Sequence, residues 1–258
     1  MDKHINSLWI SDVHLGTSLC QHEQLYKFLK SFEMEDGHYK LKNLYLVGDI
    51  LDIVQMNSKL LLSEHRKVIR KILRMADKGV NVVYAVGNHD YPISEMMLED
   101  DSSLFDMSGI TICRQTIHRG LDGRNYLVIH GDQFDGPIKG YPIVYFLGDV
   151  GYSLMTKLNA VQNYVRRKLK MAPWSFSLWI KQKVKGALQF INKFEELLVE
   201  EARKQGTDGV IAGHIHKAED RFIDGVRYLN CGCWTEFRSA IVEYSDGEIR
   251  QIFIKEQP

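Results

Sequence analysis

The chain has little of what marks a secreted, membrane-spanning or polyanion-binding protein. Only four of its 258 residues are cysteines: Cys20, Cys113, Cys231 and Cys233. They form no regular framework, and Cys-Gly-Cys is tighter than the usual zinc-knuckle spacing, so the reduced thiols of a cytosolic protein are expected. No window of about 20 residues is free enough of charge to span a bilayer. The opening Met1-Asp2-Lys3-His4-Ile5-Asn6 lacks the apolar core of a signal peptide. These absences predict a cytoplasmic protein, one that can still lie peripherally on the inner face of the cytoplasmic membrane. Lys and Arg number 33, Asp and Glu 33, and the formal net charge is zero. No global electrostatic case for nucleic acid or membrane follows. No internal repeat or low-complexity tract is evident. What remains is a globular composition, 45% hydrophobic and 26% charged, at a length that suits one large α/β or sandwich unit.

One pattern recurs along the chain: a short apolar run, then a residue that can bind a metal. The plainest case is Leu46-Val47-Gly48-Asp49-Ile50-Leu51-Asp52. It reads as a buried strand delivering Asp49 to its carboxyl end, where ligands sit in open α/β sheets. Leu8-Trp9-Ile10 runs into Ser11-Asp12-Val13-His14-Leu15-Gly16. Asp12 and His14 can face one centre if the backbone turns there, and Gly16 permits a turn. Val80 to Val86 ends in Gly87-Asn88-His89-Asp90, Tyr126 to Ile129 in His130-Gly131-Asp132, and Gly209 to Ala212 in Gly213-His214-Ile215-His216. Each cluster alone has a plain explanation. A histidine can be a satisfied core residue, Asn88 a turn residue, and His214 with His216 one face of a strand. Five clusters in series point to chemistry.

Between these runs lie helical stripes. Gln21 to Phe32 carries Leu25, Phe28, Leu29 and Phe32, and Ser58 to Lys78 stops at Gly79. Leu197 to Lys204 reads as a third helix. Ile110 to His118 gives one or two strands, and Leu121-Asp122-Gly123-Arg124 a hairpin turn. The tail, Ala218 to Ile254, reads as antiparallel strands turned at Asp224-Gly225 and Asp246-Gly247. This order predicts an α/β protein with a mixed sheet or two packed sheets and helices outside.

The recurring polar set is Asp12, His14, Asp49, Asn88, His130, His214 and His216. Carboxylate, imidazole and amide oxygen together suit a divalent first-row ion such as manganese, iron or zinc. The absence of cysteine argues against a structural zinc site. Seven ligands exceed one tetrahedral site and suit two ions about 3.5–4 Å apart sharing a carboxylate. Such a pair lowers the pKa of a water between the ions, and a phosphate ester fits across both.

One segment departs from the pattern. Pro137 to Phe194 turns helical and basic, with Asp149 its single acid. Its cations, among them Arg166, Arg167 and Lys170, are interleaved with Tyr, Trp and Phe. It reads as an inserted helical cap over residues 136–195 of a single domain spanning 1–258. That composition suits an amphiphilic substrate or a membrane surface. The alternative is a cap packed on the core with its basic face solvated. Arg166, Arg167 and Lys170 are the cap's candidate substrate-binding residues.

The series Asp12-Val-His14, Gly48-Asp49-Ile-Leu-Asp52, Gly87-Asn88-His89-Asp90, His130-Gly-Asp132 and Gly213-His214-Ile-His216 resembles the calcineurin-like metallophosphoesterase superfamily. The resemblance implies a four-layer α/β/β/α sandwich with two metal ions between the sheet ends. Asp12, His14, Asp49 and His216 would hold one ion, and Asp49, Asn88, His130 and His214 the other, with Asp49 bridging. Asn88 and His89 would meet the substrate's phosphate, His89 as general acid or transition-state donor oriented by Asp52.

Within the superfamily the chain is most similar to the UDP-2,3-diacylglucosamine hydrolase group, through Ser11-Asp12-Val13-His14-Leu15-Gly16, the overall size and the cap after His130. That likeness implies cleavage of a pyrophosphate in a lipid precursor by a peripheral membrane enzyme. The ion would be manganese first, with zinc or iron as alternatives. The chain departs from the group at His89, where arginine is typical, and at Gln133-Phe134-Asp135 after the His130 motif. The expected partner is a phosphorylated lipid or small molecule. A nucleotide phosphodiesterase or nuclease, and a membrane-surface binding module, are the alternatives. Nucleic acid is the less expected partner, and the sequence specifies no oligomeric state.

Overall fold

The computed structural model describes residues 4–54, 61–90, 93, 105–138 and 185–255. The chain separates into two compact units, Met1–Asp132 with Val199–Pro258, and Gln133–Leu198. The first unit holds both sheets. A seven-stranded sheet runs β12-β11-β1-β2-β3-β5-β4 and a five-stranded sheet runs β6-β7-β8-β10-β9. In chain order the first sheet's strands are β1 (Ile5–Ile10), β2 (Asn43–Val47), β3 (Asn81–Ala85), β4 (Phe105–Met107), β5 (Ile110–Cys113), β11 (Ser239–Tyr244) and β12 (Ile249–Phe253). Those of the second are β6 (Gln115–Arg119), β7 (Asn125–Ile129), β8 (Gly209–Ala212), β9 (Glu219–Ile223) and β10 (Val226–Asn230).

Strand period explains the layering. Successive side chains point to opposite faces. On β1, Leu8 and Ile10 join the cluster under the helices, while Trp9 joins the one between the sheets. The same split separates Leu44 and Leu46 from Tyr45 and Val47 on β2, and Val82 and Tyr84 from Val83 and Ala85 on β3. Tyr126 and Val128 of β7 and Ile211 of β8 meet Trp9, Val47 and Ala85 from the other side.

Helices α1 (His22–Lys30) and α2 (Arg66–Asp77) bury Leu25, Leu29, Val68, Ile72 and Met75 in the outer cluster. Each such side chain contributes roughly 1.5–3 kcal/mol when fully buried. One wide helical turn, Leu61–His65, leads into α2. Gly79, at φ 86, ends it, with its amide on Ala76 O and the Val80 amide on Met75 O. That matches the expected stop; residues 58–60, the start of the expected helix, lie outside the described residues. A third helix, α3 (Lys185–Lys204), is longer than the expected Leu197–Lys204. Its residues 199–204 belong to the first unit, with Val199 and Ala202 buried.

Among the described residues, two mixed sheets flanked by helices make the four-layer α/β/β/α sandwich. Ile110 to His118 is two strands in different sheets, with the chain crossing over at Arg114. The tail is two hairpins, also in different sheets. β11 pairs antiparallel with β1, and β10 pairs parallel with β8. Most of the cap segment, including Arg166, Arg167 and Lys170, lies outside the described residues.

Candidate metal centre

The sequence clusters lie where strand pairing gives way to irregular backbone. β1 and β2 run parallel, with Ile10 opposite Leu46. Beyond them the Asp12 amide donates to Gly48 O at 3.1 Å, the His14 amide to Asp49 O at 2.9 Å, and the Leu15 amide to Ile50 O at 2.9 Å. Asp12, His14 and Asp49 stand at φ 51, 52 and 53. His214 and His216 stand at φ 69 and 53. A non-glycine residue in this left-handed region costs on the order of 1–3 kcal/mol and persists only where its surroundings fix it. The expected turn at Gly16 is present, at φ 108, and the backbones of Asp12 and His14 turn as well. Val13, between them, is buried in the core. His214 and His216 likewise do not share a strand face; they occupy a turn.

Two glycines clear the space. A Cβ on Gly48 would come within 2.2 Å of the His130 ring. One on Gly87 would lie 2.3 Å from Asp49 Oδ1 and 2.7 Å from His130 Cδ2. The apolar-run-then-glycine pattern thus has a packing reason: an Asp or His from the end of another strand occupies the place of the missing side chain.

The side chains gather into two triads whose ligand atoms lie within 4.8 Å of one another, Asp12 with His14 and His216, and Asp49 with His130 and His214. His216 Nε2 is 3.1 Å from Asp12 Oδ1, and His130 Nε2 is 3.3 Å from Asp49 Oδ2. The triads are tied together. The His214 amide donates to Asp12 Oδ2 at 3.1 Å, and the His14 and His216 rings are 5.3 Å apart.

Three buried atoms in this cluster make no well-formed hydrogen bond: His14 Nε2, and Asp12 Oδ1 and His130 Nε2, which meet His216 and Asp49 as ion pairs. Their rings are held from behind. His130 Nδ1 lies 2.9 Å from Val47 O and His14 Nδ1 lies 2.9 Å from Asp52 Oδ2. Both bonds place the proton on Nδ1 and turn the Nε2 lone pair into the cluster, the arrangement a metal-binding histidine takes. The residues fit divalent ions.

The electrostatics agree. Burial would raise Asp12 and Asp49, yet His216 beside the first and His130 beside the second hold both below the ordinary carboxylate range. Burial would lower His216 and His130, yet Asp12 carries His216 up to about 10 and Asp49 carries His130 well above its usual value. The buried carboxylates demand positive charge, and protons or divalent ions can supply it.

Around the triads stand residues that hold others. Asp52, the expected partner of His89, contacts it through Oδ1 at 3.1 Å and contacts His14 through Oδ2 at 2.9 Å. The contact with His14 was not legible in the sequence. Nor was the role of Asp90, which is fully buried. It accepts the amides of Asp49 at 2.7 Å, Leu51 at 2.9 Å and Gly87 at 2.8 Å, and the Tyr84 hydroxyl. Burial, with the Asp49 charge, pushes it up to about 7. It joins the loop after β2 to the loop after β3. Asn88 lies in that second loop and is exposed. His89, the next residue, donates its amide to Asp49 Oδ1 at 2.8 Å.

His22, Glu64 and His65 form another histidine–carboxylate group. His65 Nδ1 accepts the Gly16 amide at 2.8 Å, so the neutral ring carries its proton on Nε2, the one atom left for an ion. Burial, with His22 against it, pushes His65 down to about 4. This group packs the loop after His14.

Residues 5–218 match the family model for calcineurin-like phosphoesterases. A protein from Neisseria gonorrhoeae named UDP-2,3-diacylglucosamine hydrolase is 29% identical over 136 residues, which is 52% of this chain and 52% of that protein. The chain thus spans about half the length of that relative. A protein of the same name from Neisseria meningitidis is 24% identical over 250 residues, 93% of this chain and 95% of its own length. Among solved structures, an archaeal phosphodiesterase aligns over 98% of this chain and 100% of its own, at 14% identity and a TM-score of 0.46.

Proposed function

The chain belongs to the calcineurin-like phosphoesterase family and is a metal-dependent hydrolase, and from that premise we propose that it cleaves a phosphodiester or pyrophosphate at a two-ion centre. The observation that carries this is the pair of histidine–carboxylate triads, whose ligand atoms converge within 4.8 Å and beside which His14 Nε2 is buried without a hydrogen-bond partner. In this reading Asp12, His14, Asp49 and His216 hold one ion, and Asp49, Asn88, His130 and His214 hold the other. When bound, two such ions, manganese first, supply a nucleophile at neutral pH and neutralise charge on the phosphoryl oxygens.

The chain's own residues do the rest. Asp52 grips His89 by Nδ1 and leaves Nε2 as the end that faces the substrate. Burial would lower His89, but Asp52 and Asp49 raise it. Its Nε2 proton is therefore available for the leaving oxygen, the work of a general acid. The same ring lies 4.8 Å from that of His14, so acid and ligands share one support.

The substrate we propose is amphiphilic: UDP-2,3-diacylglucosamine, or a related phosphorylated lipid or sugar nucleotide. The names of the Neisseria relatives support it, as does the basic, aromatic composition of residues 136–195. In that reading Arg166, Arg167 and Lys170 meet phosphates, and the enzyme works in the cytoplasm at the membrane face. Among the described residues no helix is long and apolar enough to cross a membrane. A smaller nucleotide diester is the second reading, favoured by His89 at a position where the lipid-precursor hydrolases carry arginine.

The test sets two substrates side by side with the manganese-loaded protein: UDP-2,3-diacylglucosamine in detergent, and bis-p-nitrophenyl phosphate. Cleavage of both, faster on the lipid, is the expected result. Cleavage of the small diester alone favours the second reading. Cleavage of neither, with two ions bound, refutes the phosphoesterase proposal.

A further inference from the structure

The loop that carries His214 and His216 is held by a side chain that binds no ion and touches no reacting atom. Gly213 follows β8, and the Ile215 amide donates back to its carbonyl at 2.8 Å. That bond spans three residues, with His214 in the middle at φ 69. It is a γ-turn of the rarer, strained sense. Its acceptor carbonyl takes a second donor, Asn230 Nδ2, also at 2.8 Å.

Asn230 ends β10 and is 0% exposed. Both ends of its amide are used. Nδ2 also donates to the Tyr228 hydroxyl at 3.0 Å, and Oδ1 accepts the Gly232 amide at 3.0 Å. The Gly232 carbonyl in turn accepts from Ser11 Oγ at 3.2 Å, one residue before Asp12. One line of bonds therefore runs from the γ-turn through Asn230 to the start of the Asp12 loop.

We propose that Asn230 is a positioning residue for the metal centre: by clamping the Gly213 carbonyl it fixes the γ-turn that aims His214, and so sets the affinity of the ion His214 holds. The proposal rests on the two-ion reading above. The site needs a donor and an acceptor on one rigid planar group. Aspartate lacks the donor, and leucine lacks both. The His214 amide is anchored separately on Asp12 Oδ2, so loss of the clamp tilts the turn and leaves the loop in place.

The experiment compares N230D with wild type and with S239A. N230D keeps the acceptor for Gly232 and sets a carboxylate oxygen against the Gly213 carbonyl. Ser239 is equally buried and donates to Cys231 O at 2.7 Å, so its loss removes a neighbouring hydrogen bond that does not reach His214. Manganese affinities are read by calorimetry, and the Tm of each apoprotein is recorded. N230D should weaken one ion by about 10–100-fold, the same ion that His214→Ala loses, with far less change in the other. S239A should lower the Tm without that selectivity. Wild-type affinities in folded N230D, or an equal loss of both ions that S239A reproduces, overturn the proposal. If N230D does not fold, Tyr228→Phe carries the test, with a smaller loss expected at the same ion; unchanged affinity there overturns it. Failure of the two-ion reading shows separately, as wild-type protein that binds fewer than two ions.

Discussion

Replacing Asp52 by asparagine should weaken metal binding as well as catalysis. Asp52 is buried and divides its two oxygens between two imidazoles, His14 at 2.9 Å and His89 at 3.1 Å. The histidines lower its pKa against the effect of burial, so the side chain is anionic. Asparagine keeps one acceptor and turns an N–H₂ toward the other ring. Either way the neutral amide removes the charge behind both rings, and where the N–H₂ meets His14 the Nδ1 proton must move to Nε2, the atom that faces the ion. A hydrogen bond to a charged group is worth about 1.5–3 kcal/mol, and each 1.4 kcal/mol is tenfold in an equilibrium constant. The affinity of the ion on His14 should therefore fall by roughly 10–150-fold, with a further drop in kcat at saturating metal because His89 has lost its support. Calorimetric titration with manganese, followed by kcat at saturating metal on bis-p-nitrophenyl phosphate, separates the two effects. If both ions bind Asp52→Asn as they bind wild type, Asp52 does not support His14, and the double role assigned to it is wrong.

His89→Ala should bind both ions normally yet lose about 10²–10⁴-fold in kcat on an ester with a poor leaving group; retained turnover on such an ester refutes the acid role. Glu243 lies far from these ligands, buried among Ser7, Asn6, His118 and the Leu121 amide. Burial would raise its pKa, but His118 and these donors hold it down to about 2, against an ordinary 4.5. A depressed carboxyl stabilises the fold above its unfolded pKa and loses that contribution as pH falls through the folded value. The shift corresponds to on the order of 3 kcal/mol, lost between about pH 4.5 and 2, and Glu243→Leu should flatten that part of a urea-unfolding pH profile. A mutant profile as steep as wild type's would refute the assignment.

The Asp and His residues that gather in the two triads were legible because each is a local matter. An apolar run of period two marks a buried strand, the glycine marks a place where another side chain comes close, and the next Asp or His is delivered at the strand end. Gly48 and Gly87 bear this out through their contacts with His130 and Asp49. The supports of those ligands were hidden because they act across the chain. Asp52 lies 38 residues from His14, and Asp90 lies 41 from Asp49. No run of neighbours encodes either contact. The crossover at Arg114 was hidden for another reason: alternation tells which face a residue takes and not which sheet it joins.

The left-handed backbone of Asp12, His14, Asp49, His214 and His216 had a faint signal in residue type, since Asp and His visit that region several-fold more often than most residues. What the pattern could not supply is the reason the strain persists. The bonds from Asp12 and His14 to the carbonyls after β2, and from the Gly213 amide to His130 O, fix Asp12, His14 and the start of the His214 loop from a neighbouring strand end, and the Asp49 amide is held by Asp90. The strain thus depends on β1, β2, β7 and β8 ending together, a property of sheet order. Register was written locally in the alternation and order was not, so the clustered Asp and His residues could be named from the sequence before the geometry that aims them could be.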